Sequence, residues 1–191
     1  MAIDTPHTTI ANDPVWRTLR WVVWGGAALL LLAPLIAMRF TREVDWSPLD
    51  FLVMGVLLAL VGGAYELAVR VARSHVYVIA FGVAVGTAFL TVWANLAVGI
   101  VGEPAEPINR IYFGVVAVAV LGATLARLRP AGMARAMLAA ALAQAAGSVV
   151  GLVADGTTVF VLTAVFAVLW LVSAALFRRA AGPPETNGAP R

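Results

Sequence analysis

Thr87, Thr91 and Asn95 recur every four residues within one apolar stretch, a spacing that sets three hydrogen-bonding side chains on a single helix face. Gly102 continues that stripe to within about 60°. Asn95 carries both a donor and an acceptor, and in apolar surroundings each needs a partner. Gln144, with Ser148 one turn on, places a second carboxamide deep in a later apolar stretch. The chemistry open to these groups is hydrogen bonding. It either ties helices together, contributing about 0.6–2 kcal/mol per contact, or lines a small polar cavity that takes up water or solute. Glu66 is the one acid inside an apolar run, and Arg70 follows four residues later in the order that favours an ion pair. That spacing predicts a Glu66–Arg70 pair near the membrane surface, with proton carriage by Glu66 as the alternative.

A second group is acidic. Glu103, Glu106 and Asn109 fall in a short segment broken by Pro104 and Pro107. Oxygen ligands without cysteine or histidine would suit a hard cation such as Ca²⁺ or Mg²⁺. The competing account is a solvated loop with Arg110 as counter-charge, in which Asn109 caps the next helix and no ion is needed. No metal site is assigned on these residues. Catalysis finds little support, since the chain holds no Gly-x-Ser-x-Gly, His-Glu-x-x-His, P-loop or dinucleotide-binding pattern. With no cysteine there is no thiolate nucleophile and no disulfide framework, and His7 and His75 form no cluster. Neither a catalytic residue nor a cofactor is expected.

The elements that position these residues follow from composition. The 191-residue chain is 62% hydrophobic and 12% charged, and its mean hydropathy is +0.93. So much apolar surface cannot be buried in a domain of this length dissolved in water, so the solvent must be a bilayer. Six apolar stretches of spanning length are present, which predicts an all-α, polytopic transmembrane helical bundle. Asp13-Pro14 reads as a cap and first-position pair for the first helix, and the run Trp21–Met38 is too long for the apolar core of a signal peptide, so it reads as a retained span. Ser47-Pro48-Leu49-Asp50 is a capping-box start for a second helix to about Ala72, and Ser74 caps a third that runs to about Val101. The fourth is expected over about Asn109–Leu128. Arg127, Arg129, Pro130 and Gly132 break the chain before a fifth from Met133 to Ala154, and Asp155-Gly156 turns into a sixth that ends at Phe177. The expected organisation is a tail over 1–13, one six-helix domain over 14–177 and a disordered tail over 178–191.

Ten arginines, among them Arg17, Arg20, Arg135, Arg178 and Arg179, fall on one side of this arrangement, against Arg39, Arg42 and Arg110 on the other. The positive-inside rule then predicts that both termini are cytoplasmic. The opposite face collects Glu43, Asp45, Asp50, Glu103, Glu106 and Asp155 and is acidic. The arginines stand singly or in pairs beside apolar segments, as interfacial anchors do, so no nucleic-acid partner is expected. Gly82 with Gly86, Gly147 with Gly151, and Gly55 with Ala59 and Gly63 are small residues at four-residue spacing, which let helices approach closely within the bundle or between subunits.

The blocks Glu43-Val44-Asp45-Trp46 through Asp50-Phe51, Tyr65-Glu66-Leu67, Trp93–Gly102, Asn109–Gly114, Arg129-Pro130 and Gly132–Ala136 carry a resemblance. They are similar to those of a family of small polytopic bacterial inner-membrane proteins, over the second to fifth spans. The resemblance implies a multi-pass protein of the cytoplasmic membrane and carries no activity with it. Its relatives look more polar in the loop after Gly102, where this chain reads Glu-Pro-Ala-Glu-Pro-Ile. Two functions are left by the sequence. One is a non-catalytic accessory or scaffold whose acidic outer face and small-residue helix faces meet a membrane-protein partner or further copies of itself. The other is a transporter or channel for a small solute or ion, using Asn95, Glu66 and Gln144.

Overall fold

The computed structural model describes residues 14–155 and 157–182. It contains six long helices: α1 (Pro14–Ala37), α2 (Pro48–Val71), α3 (His75–Ala97), α4 (Arg110–Leu125), α5 (Pro130–Asp155) and α6 (Thr157–Ala180), with a 3-10 turn at Pro107–Asn109 ahead of α4. All six are long and apolar enough to cross a bilayer, and no strand occurs among the described residues. Large apolar side chains such as Leu29, Leu60, Ile79, Leu121, Leu142 and Val161 stand exposed along them. Such a surface suits hydrocarbon rather than water. The expected Asp13 cap, the turn at Gly156 and the tails over 1–13 and 183–191 lie outside the described residues.

The span-bearing region, read above as one domain over 14–177, divides into two compact units, Met1–Val78 and Ile79–Arg191. In the first, α2 starts as its sequence requires. Ser47 accepts from the Asp50 backbone N–H while the Asp50 carboxylate accepts from the Ser47 N–H, with Pro48 inside the first turn. A Cβ on Gly62 would meet the Trp24 indole at 2.7 Å, so glycine is what lets α1 lie against α2. The Tyr65 hydroxyl donates to the Trp16 carbonyl at 2.6 Å, and the Trp16 ring stacks on His75 at 5.6 Å. Ser74 accepts from the Tyr77 N–H and caps α3 as expected.

In the second unit α5 packs most extensively against α6 and then against α4. Several boundaries differ from the sequence expectation. α3 stops at Ala97 rather than Val101, because Gly99 and Gly102 take left-handed backbone at φ +74° and +60° and turn the chain out of the helix. Gly102 therefore leaves the polar stripe. α4 begins at Arg110 and ends at Leu125. The Leu128 N–H reaches back to the Ala123 carbonyl and the Arg127 N–H to Thr124, the two bonds of a Schellman termination. Arg127 and Leu128 both adopt positive φ to make it. α5 starts at Pro130, where proline is preorganised for a first helical position. Gly132 is not a breaker: a Cβ there would meet that of Ala126 at 2.7 Å, so it permits the tight α4–α5 corner. α6 continues past Phe177 to Ala180, since Arg178 and Arg179 in its last turn complement the helix dipole.

The small-residue stripes divide in the same way. A Cβ on Gly151 would meet Val159 at 2.8 Å and the Tyr112 hydroxyl at 3.0 Å, and one on Gly147 would meet Ile111 and the Tyr112 ring at 3.4 Å. That stripe is a packing seam. Gly55, Gly63, Gly82 and Gly86 have nothing within 4 Å of a built Cβ, so these stripes do not bring described helices together.

Candidate functional site

The loop between α3 and α4 is organised by one side chain. The Pro107–Asn109 turn delivers Asn109 inward, where it is 2% exposed. Its Oδ1 accepts from the Ile100 N–H at 3.1 Å and the Val101 N–H at 2.9 Å, and its Nδ2 donates to the carbonyls of Val101 at 3.0 Å and Glu103 at 2.8 Å. The carboxamide thus reproduces a backbone pairing edge and satisfies four main-chain groups that leaving the helix would orphan. Asn109 does not cap α4 with its side chain, contrary to expectation, because that side chain is fully used in the loop. Its backbone carbonyl accepts from Asn95 Nδ2 at 2.8 Å, so the last member of the α3 stripe is bonded directly to the loop's organiser. Ile100, Val101, Tyr112 and Val159 close over this knot as a small apolar core, with Ala94 and Ile108 packed against it.

Glu103 and Glu106 stand exposed on the rim of the knot. Each contributes main chain, as the Glu106 N–H donates to the Glu103 carbonyl at 3.0 Å. Asn109 Oδ1 is already taken by two N–H donors, so the three oxygens do not form a ready cation shell. No group of three metal-ligating side chains occurs among the described residues.

Thr87, Thr91, Asn95, Gln144 and Ser148 are all 2% exposed or less. The hydroxyls turn back on their own helices: Thr87 donates to Val83, Thr91 to Thr87 and Ser148 to Gln144, at 2.7–2.9 Å. Gln144 Nε2 donates across to the Thr163 carbonyl of α6 at 3.3 Å. Among the described residues two buried acceptors have no partner, Asn95 Oδ1 and Gln144 Oε1. Glu66 lies in the other unit. It pairs with Arg20 of α1 at 2.5 Å rather than with Arg70. Arg20 reaches Glu66 from the facing helix α1.

Sequence reasoning passed over four residues that build these sites. Tyr112, three residues after Asn109 and so on its face, is 1% exposed and donates to the Gly147 carbonyl at 3.3 Å. Thr163 and Ser173 are lone polar residues in the apolar run of α6. Ser173 donates to the Ala80 carbonyl of α3 at 2.9 Å. Arg20 offered no signal, since nothing local pairs it with a residue 46 positions away.

Six helices of spanning length and apolarity mark this chain as a multi-pass integral membrane protein. A scan against protein-family models and searches of curated proteins and of solved structures find no match to it.

Proposed function

We propose that the chain is a non-catalytic scaffold of the bacterial inner membrane, with both termini cytoplasmic, which presents its α3–α4 loop to a partner protein on the opposite side. The observation that carries this reading is the Asn109 knot. Four side-chain hydrogen bonds fix the loop backbone while Glu103 and Glu106 are left exposed. A loop held in advance loses little conformational entropy when a partner docks, and preorganisation of this kind raises affinity without added contacts. The resemblance to small inner-membrane proteins and the ten-to-three distribution of arginines support the location and the orientation. The test is co-purification in mild detergent together with photo-cross-linking from position 103 or 106. A defined adduct that disappears in Asn109→Ala supports the scaffold. Recovery as a lone monomer across several detergents, with no adduct from either position, excludes it.

The second reading, a small-solute or ion transporter, has one observation on its side. Asn95 Oδ1 and Gln144 Oε1 are acceptors without partners inside the described chain. Against it, their amide nitrogens are both bonded to protein carbonyls and the surrounding hydroxyls are satisfied within their own helices. Transport sites are built from broken helices and convergent polar groups. Flux in liposomes that falls in Asn95→Ala and Glu66→Gln would favour this reading over the scaffold.

A further inference from the structure

Where α5 begins and α6 ends, the two helices part into an open cleft of about 750 Å³. One wall is Ala131, Ala134, Arg135 and Leu138, a single face of α5. The other is Ala175, Arg178 and Arg179 of α6, followed by Ala181 and Gly182. The alanines and the glycine explain the opening, since side chains this small do not fill the space between the two backbones. Its chemistry is divided by depth. Leu138 lies eight residues into α5, about 12 Å along the axis from Pro130, and is 44% exposed to the surroundings of the helix. Arg135 lies five residues into α5 and Arg178 and Arg179 lie in the last turn of α6, and none forms an ion pair with a described carboxylate. Among the described residues the lining contains no acid.

We propose that this cleft binds an anionic phospholipid, with the headgroup phosphate held by Arg135, Arg178 and Arg179 and the glycerol and acyl chain laid along Ala134, Ala175 and Leu138. Three cations around one opening, none paired with a described carboxylate, call for a counter-charge, and arginine matches phosphate oxygens in a forked geometry. The apolar lining that Ala134, Leu138 and Ala175 add beside them has no use for a dissolved anion. It fits a ligand that is charged at one end and oily at the other. Basic pockets between spanning helices near a membrane surface take such lipids for the same reason.

The full-length protein in mild detergent, offered equal amounts of phosphatidylglycerol and phosphatidylcholine, should retain phosphatidylglycerol in native mass spectrometry with a preference of about tenfold. Arg135→Gln with Arg179→Gln should bring that preference to near parity. Arg129→Gln, which removes an arginine at the same helix ends but outside the cleft, should leave it unchanged. Arg135→Lys with Arg179→Lys should fall between, because an ammonium keeps the charge and loses the fork. On the unaltered protein the preference should decline as salt is raised, a reading that stands even if the glutamine variant does not fold. Equal retention of the two lipids, or an effect of Arg129→Gln as large as that of the cleft pair, overturns the proposal. So does displacement of the lipid by millimolar inorganic phosphate, which would mark a site for free oxoanions.

Discussion

A carboxamide inside a membrane protein can be either a keystone or a leftover, and Asn109 and Gln144 illustrate the two. Asn109 satisfies four backbone groups, three of them on Ile100 and Val101, which are 3% and 5% exposed and so out of reach of water. Asn109→Ala should therefore cost about 3–5 kcal/mol, most of it the penalty of stranding buried N–H and C=O groups, and thermal unfolding in detergent will measure it. Asn109→Asp should be nearly as damaging. It keeps the acceptor but sets a second oxygen against the Val101 and Glu103 carbonyls. Gln144 makes one long bond, at 3.3 Å, and leaves its own oxygen unpartnered. Gln144→Met removes both at similar volume, so its effect on the same unfolding curve should stay within about 1 kcal/mol of zero. The sequence sets Asn109 in an acidic, proline-broken segment as a cap or cation ligand and Gln144 deep in an apolar stretch, and neither setting reveals which is the keystone. What separates them is the number of main-chain groups within reach, which depends on where Gly99 and Gly102 turn the backbone.

At the level of helices, glycine positions sort into seams and open faces. Gly151→Ala should be destabilising by about 1–3 kcal/mol, since its Cβ would press on Val159 and on the Tyr112 hydroxyl. Gly82→Ala and Gly86→Ala meet nothing and replace a weak helix former with the strongest one. They should raise stability by a few tenths of a kcal/mol up to about 1 kcal/mol each. Melting of the three variants side by side decides whether the seam is where the structure puts it. Arg127 sits at a helix termination where glycine is the usual residue, and Arg127→Gly should raise the melting temperature by relieving its positive φ. Much at this level was legible beforehand. The six spans, the Ser47–Asp50 box and the Ser74 cap follow from hydrophobic run length and from residues that act within four positions of one another. The ends of α3 and α4 were not legible, because each is set by contacts formed only as the chain turns: the Asn109 loop bonds, and the Schellman pair at Arg127 and Leu128. The Arg20–Glu66 pair was hidden for the same reason, and the i+4 rule pointed to Arg70 in its place.

Across the whole molecule, the distribution of arginines predicts which way the protein faces. The chain has no cysteine, so single introduced thiols report without background. Glu103→Cys should react with an impermeant maleimide added to intact spheroplasts, while Arg73→Cys should react only after permeabilisation. The reverse pattern would invert the orientation and move the α3–α4 loop to the cytoplasm. The co-purification and lipid-retention measurements likewise call for the intact chain, because the Asn109 knot draws on α3, α4 and α6 and the arginine cleft on α5 and α6. The bend between α3 and α4 is held by an internal carboxamide and two left-handed glycines, and by none of the side chains at 103, 105 or 106, all of which are exposed. Shape and message are therefore separable there. Those three letters can be rewritten, even to basic or aromatic ones, and the hairpin will still assemble, so a change of recognition at this spot carries almost no folding penalty.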